Sequence, residues 1–377
     1  MQNTHDTIVI GGGVIGLSIG WLLQRSGHDV AIVEKGDPGG GASAVAAGML
    51  APITEATFGE EDLLNLNLES AKRFPDFLST LTAASSVNVD LETEGTMFCA
   101  QDNDRVSVIE RIFAYQRDLG LDVQMLTSDE ARTIEGSLHP GLRSAVLAKG
   151  DLAVDPRLLC EALTVAFSEA GGQLIQAEAK ELARADGHVA GVIIDDAVHI
   201  YATHTILAAG CWSSQLGGLP EVLERAVRPV KGQTLRLRPP PGEPPIVSHI
   251  IRTDEVYLVP RSSGELVVGA TVEEKGFDTS LTAGAVRGLL EAAEEIVPGV
   301  RDMEVVETGV GLRPGSRDNA PLLGIVEEGL IAATGHFRNG ILLTPITALS
   351  ITQLVTTGKT PGLIAPFSPL RFSTAVA

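Results

Sequence analysis

Residues 7–24, TIVIGGGVIGLSIGWLLQ, decide the fold class. Thr7 to Ile10 is β-branched and apolar and runs straight into glycines, after which Ile15, Ile19, Leu22 and Leu23 recur at helical spacing. A turn at Ser26-Gly27-His28-Asp29 leads to a second β run, Val30 to Val33, so the chain opens with a βαβ unit and implies a parallel sheet. Gly11-x-Gly13-x-x-Gly16 lies between the first strand and the helix. Its first glycine permits the tight turn, its second lets backbone approach a pyrophosphate, and its third allows close helix-to-strand packing at the anion-binding helix N-terminus. Glu34 ends the second strand at the roughly 20-residue spacing from which a carboxylate bonds a ribose hydroxyl. A lone GxGxxG matches any glycine-rich loop; with strand, helix and acid in register it predicts dinucleotide binding rather than a purely structural turn.

The remainder of the composition is consistent with that reading. The 377 residues carry 28 Lys plus Arg against 48 Asp plus Glu, a formal net charge of −20, which excludes a general polyanion or nucleic-acid binder. The length allows about two or three domains with a core that needs no staple. There are 41 glycines, and mean hydropathy is +0.19. Such a chain suits either a membrane protein or a fold in which backbone closes on a ligand. Two charge-free stretches, Thr7 to Gln24 and Asn339 to Gly358, are long enough to mimic membrane spans. The first is broken by three glycines and lacks a basic flank. The second holds Pro345, five threonines, Ser350 and Gln353 and reads as a buried helix, so no stable span is expected. Cys99, Cys160 and Cys211 are scattered, without a C-x-x-C, as reduced thiols of a cytoplasmic protein would be, and the eight histidines show no metal spacing.

Further along, a glycine-rich loop spans Gly36 to Gly48 and a helix is expected from about Asp62 to Leu81. Asp155-Pro156 starts another helix, which Gly171-Gly172 ends. Turns at Asp186-Gly187 and Asp195-Asp196 separate short strands until Thr205 to Ala209 meets Gly210. Residues 230–271 read as antiparallel strands (KGQTLRLRP, IVSHIIR, VYLVP, ELVVGAT) around a Pro239 to Pro245 linker and a Ser262-Ser263-Gly264 turn. Helix Ala283 to Val297, strand Glu304 to Val310 and a last apolar strand, Leu330 to Thr334, follow. The expected fold is α/β (α+β overall). A Rossmann-like domain is assembled from residues 1–85, 150–216 and 325–377, and a mainly antiparallel substrate domain comprises 86–149 and 217–324.

An NAD site usually repeats βαβ units, whereas this chain leaves after one into the small-residue run Ala42 to Leu50, past which backbone can slide against a flat ring system. The late strand-glycine-helix segment brings further backbone amides to one end of a long cofactor, and FAD suits this better than NAD.

At these segments the sequence resembles the glycine oxidase family (ThiO type) of the D-amino acid oxidase and sarcosine oxidase superfamily, essentially end to end. The stretches that carry the resemblance are IVIGGGVIG, AAGMLAP (Ala46 to Pro52), PVKGQ (Pro229 to Gln233), VYLVPRSSGELVVGAT (Val256 to Thr271), GLRPGSRDNAPLLG (Gly311 to Gly324) and GHFRNGILLTPIT (Gly335 to Thr347). The resemblance implies a D-amino acid oxidase-like fold. It also implies non-covalent FAD at Val14, Ile15, Glu34, Lys35, Ala42, Ser43, Ala47, Gly48 and Met49, at Lys180 through its backbone, and along His336, Phe337, Arg338, Asn339, Gly340, Ile341 and Leu342. With Gly11, Gly13 and Gly16 of the fingerprint, these make up the expected cofactor site. The resemblance further implies that Arg313, Arg338 and Tyr257 meet the carboxylate of an amine substrate, and a homo-oligomer, tetramer or dimer, is expected. No cysteine lies in Gly311 to Gly324, where a covalent flavin link would need one.

Two departures from relatives, Glu255 in place of a histidine and Val272 in place of a methionine, bear on the amine side of the pocket. Arginine suits a carboxylate because its planar fork binds bidentately and stays charged. Blander roles stand beside these: a loop salt bridge from Arg313 to Asp318, Arg338 as a loop anchor, Tyr257 as a half-buried strand residue, His336 as a loop residue whose backbone matters. The resemblance implies oxidation of glycine, sarcosine or small D-amino acids by hydride transfer to FAD with dioxygen as acceptor. The products are glyoxylate or a 2-oxo acid, ammonia or amine, and hydrogen peroxide, and the imine feeds thiazole formation for thiamine. The alternatives are a D-amino acid dehydrogenase using another acceptor and a non-catalytic flavin-binding subunit of a hetero-oligomer.

Overall fold

The computed structural model describes residues 3–195 and 197–373. Asp196, the second half of the expected Asp195-Asp196 turn, lies outside them, as do residues 1, 2 and 374–377. The sequence-derived βαβ unit forms as strand Thr4–Ile10, helix Val14–Arg25 and strand Val30–Glu34. These two strands are the middle of a parallel array in the order Leu330–Thr334, Val198–Leu207, Thr4–Ile10, Val30–Glu34, Gln173–Gln176. Their near-continuous Val, Ile and Ala content follows from burial on both faces. Helix Val14–Arg25 is covered by helices Pro156–Glu169 and Thr344–Thr357, and the long helix Glu61–Ser85 completes the layer around Trp21, Phe74, Phe77 and Phe167. Asp155 caps Pro156–Glu169 through the Arg157 and Leu158 amides, as the Asp-Pro pair predicts. Thr344–Thr357 is the core of the charge-free stretch, and no described helix is long and apolar enough to cross a membrane.

A second sheet runs in the order Glu304–Ser316, Val227–Arg238, Leu266–Gly269, Tyr257–Pro260, Ile250–Arg252, Thr96–Ala100, Ser144–Ala148, Val123–Thr127. All neighbours in it are antiparallel except Ile250–Arg252 against Thr96–Ala100. Helix Ala283–Ile296 seals one face through Leu289, Ala293 and Ile296.

Three readings change. Strand Glu304–Ser316 runs well past Val310, through Arg313 and Pro314. Pro314 is tolerated because this is the edge strand, where a missing N–H removes no ladder bond on the outer side. The IVSHIIR stretch is a strand only over Ile250–Arg252. Residues 86–149, left without elements in the sequence reading, supply three strands of the second sheet and helix Asn103–Asp118.

Candidate cofactor and substrate site

The carboxyl ends of the five parallel strands open into a cavity of about 600 Å³ whose other wall is the second sheet. This is where an open α/β sheet binds its ligand. At its floor Gly11 has φ +107°, and a Cβ there would lie 2.5 Å from the Ala208 carbonyl oxygen. The N-cap of helix Val14–Arg25 is Gly13, which supplies no side-chain cap, so amides beyond Val14, whose N–H goes to Ser43, are left for an anion. Gly16 corrects the expected cofactor set: it does not line the cavity, because a Cβ there would sit 1.9 Å from the Gly11 oxygen. Its contribution is the close helix-to-strand contact alone.

Glu34 accepts hydrogen bonds from the Gly12 amide at 2.7 Å and the Gly36 amide at 2.8 Å, so its carboxylate is fixed at the strand end beside the glycine turn. Ser43 Oγ accepts from the Val14 amide at 3.2 Å. Lys35 places its ammonium 4.4 Å from the centre of the Trp212 ring. A register shift between Ala179 and Glu181 leaves Lys180 out of the ladder, with its carbonyl accepting from Gly217. Ala42, Ser43, Ala47, Gly48 and Met49 form a side-chain-poor wall, and the larger residues His336 to Leu342 form a second wall. A carboxylate at the strand end, helix N-terminal amides beyond Val14 and the small-residue wall Ala42 to Met49 fit FAD.

On the second sheet, Arg313 lines the cavity with its guanidinium against Gly232, where a Cβ would lie only 2.3 Å from Nη1. Nη1 donates to the Thr271 carbonyl at 3.0 Å and to the Lys231 carbonyl at 3.4 Å. Asp318, the partner in the alternative loop reading, is bonded instead to Arg371. Tyr257 lies with its ring over Gly269, where a Cβ would meet it at 2.6 Å. Burial pushes its phenol up, and the neighbouring Arg313 guanidinium partly offsets this, so Tyr257 is a neutral donor. Arg338 also lines the cavity, but its Nε is 3.5 Å from Glu55, a carboxylate shared with Arg252 at 3.4 Å.

Glu55, Trp212, Gly232 and Thr234 line the cavity and were absent from the sequence-derived site; the one available signal was Gly232 inside PVKGQ. Glu255 and Val272 are not among the lining residues: Glu255 pairs with Arg105 at the surface, and Val272 is exposed.

His336 is buried, with Nε2 3.1 Å from the Thr347 hydroxyl, and burial lowers its pKa to about 3. Burial holds it neutral. Its unfolded-state value is near 6.5, so its share of stability is whole above pH 6.5 and is lost as pH falls from there through 3. The full swing is about 4 to 5 kcal/mol. Thermal melts from pH 7.5 to 4.5 are therefore expected to drop less steeply for His336→Gln than for the parent; parallel curves would contradict this.

Compared with known proteins, residues 6–354 match the family model described as FAD dependent oxidoreductase (DAO). Glycine oxidase of Geobacillus kaustophilus is 34% identical over 98% of both chains, and its crystal structure superposes with a TM-score of 0.90, covering 98% of this chain and 99% of that one. The bifunctional protein ThiO/ThiG of a Synechocystis species is 34% identical over 99% of this chain and 55% of its own length. The structure of iminodiacetate oxidase from a Chelativorans species gives a TM-score of 0.86 at 27% identity, over 96% of this chain and 98% of that one.

Proposed function

The chain belongs to the DAO family of FAD-dependent oxidoreductases and is an FAD-dependent amine oxidoreductase of the glycine oxidase type; on that premise we propose that it oxidises glycine and other small amines, among them sarcosine and small D-amino acids. Held by the Gly11 to Val14 turn, Glu34 and the Ala42 to Met49 segment, FAD would supply the redox chemistry, with the substrate α-carbon as hydride donor and dioxygen as the final acceptor that leaves as hydrogen peroxide. The imine that remains hydrolyses to glyoxylate or a 2-oxo acid with ammonia or an amine.

The protein's part is orientation. Arg313 grips the substrate carboxylate with the N–H groups that Thr271 and Lys231 leave free. The neutral Tyr257 hydroxyl donates to the same carboxylate, and Arg338, its charge shared with Glu55, adds positive potential nearby. Fixing the carboxylate sets the position of the α-carbon, and orientation of this kind supplies much of the rate. No side-chain base is needed, because the amine enters neutral after losing its proton to water.

The observation that carries this reading is Arg313 seated on Gly232 at the cavity wall. The likeness to ThiO/ThiG supports a role for the imine in thiazole formation for thiamine, and we propose a cytoplasmic homo-oligomer, dimer or tetramer, as the form in which the enzyme works.

Purified holoprotein given glycine, sarcosine or D-alanine in air should release one hydrogen peroxide per amine consumed. Anaerobic bleaching of the flavin without peroxide in air would move the assignment to a dehydrogenase. Failure of every small amine to bleach the flavin would leave a non-catalytic flavin subunit.

A further inference from the structure

We propose that Arg261, on the strand-to-turn junction that follows Tyr257–Pro260, is a positioning residue for the flavin: it holds the Ala47–Gly48 peptide so that the Gly48 N–H faces the cofactor. Arg261 is 5% exposed, and its Nη2 donates to the Ala47 carbonyl, more than 200 residues away in sequence. Its Nε lies 3.6 Å from Asp155, the residue that caps helix Pro156–Glu169. A buried guanidinium is costly to desolvate, and burial lowers the pKa of Arg261 to about 10 despite that carboxylate. Both Ala47 and Gly48 line the cavity.

A trans peptide points its carbonyl and its N–H in opposite directions. With the Ala47 oxygen drawn to Arg261 behind the wall, the Gly48 N–H is turned the other way. The hydrogen-bond pattern agrees. Gly48 stands opposite Val154 and accepts from its amide at 3.0 Å, yet the reciprocal bond from Gly48 is not made, and its N–H has no protein acceptor among the described residues. Gly48 takes φ +78° here, and a Cβ would lie 1.9 Å from the Val154 oxygen. The neighbouring helix holds the same loop one turn earlier: Arg157 donates to the Ala44 carbonyl at 2.9 Å and pairs with Glu307 at 2.5 Å. A positive charge on the far side of a peptide also makes its N–H a stronger donor. A donor aimed at the flavin ring favours the electron-rich reduced form, so Arg261 raises the flavin potential as well as fixing the loop.

The test compares the parent holoprotein with Arg261→Met. Expected are a visible flavin spectrum with shifted bands, a lower midpoint potential in a xanthine oxidase dye titration, and FAD held at least tenfold more weakly, with Arg261→Lys recovering part of each. If methionine does not fold, Arg261→Gln takes its place with the same readouts. A parental spectrum and potential in a folded neutral variant, whatever its melting temperature, would overturn the proposal and leave Arg261 a packing residue only. These readouts need no turnover, so they stay informative even if the amine substrate is misassigned.

Discussion

Arg313→Ala is expected to lower kcat/KM for glycine by the equivalent of about 2 to 5 kcal/mol while the purified protein stays yellow and keeps its FAD. The loss should be this large because no neighbour replaces the fork. Tyr257 offers one neutral donor, and Arg338 is already committed to Glu55. FAD should survive because its expected contacts lie on the first sheet's strand ends, the Ala42 to Met49 wall and the His336 to Leu342 wall rather than on strand Glu304–Ser316. Steady-state peroxide kinetics over a range of glycine concentrations, with flavin content read from absorbance, decide the matter. Near-parental turnover would remove Arg313 from the substrate site. Arg313→Lys should fall between the two, since a point charge keeps the attraction but not the bidentate geometry.

How far the sequence discloses this site depends on whether the information is local. The glycine turn, the helix it starts and Glu34 are contiguous, so spacing alone points to Gly11 and Gly13 at the cavity, but it also counts Gly16 among the cofactor contacts, where the structure gives it packing. The charge-free C-terminal stretch likewise declares a buried helix, because Pro345 and its threonines suit a helix start in a protein core. Strand Thr96–Ala100 gave no signal: all five of its residues are buried, so it has no alternation to read. Pro314 and Gly315 disguised Arg313 as a loop residue, because proline is compatible with a strand only at a sheet edge and the edge is a tertiary fact. Glu55 follows an unremarkable Ala-Pro-Ile-Thr. It becomes part of the site only when Asp151, from 97 residues away, fixes Thr54 and when Arg252 and Arg338 converge on it. Arg261 stands inside VYLVPRSSGELVVGAT, yet nothing local says that its partner is the Ala47 carbonyl.

Gly232→Ala separates the seat from the side chain it seats. The backbone of Gly232 is not left-handed, so alanine brings no conformational strain there, and the three atoms nearest its Cβ are Nη1, Cζ and Nη2 of Arg313, at 2.3 to 2.6 Å. The far end of a flexible arginine moves more easily than a sheet, so the fold should persist with a melting temperature within about 3 °C of the parent, in the range usual for a mild substitution. The guanidinium, however, must leave its place by an ångström or more. Displacement of that size in an orienting group costs on the order of a hundredfold in rate. The variant should therefore bind FAD normally and lose roughly tenfold to several hundredfold in kcat/KM for glycine, with Arg313 itself intact. Gly16→Ala provides the contrast. Its Cβ would meet the Gly11 backbone oxygen at 1.9 Å, which cannot swing aside, so that variant should lose FAD and fold stability together. If Gly232→Ala turns over glycine like the parent, Arg313 does not need the position it occupies, and the orientation role assigned to it fails even if Arg313→Ala is inactive.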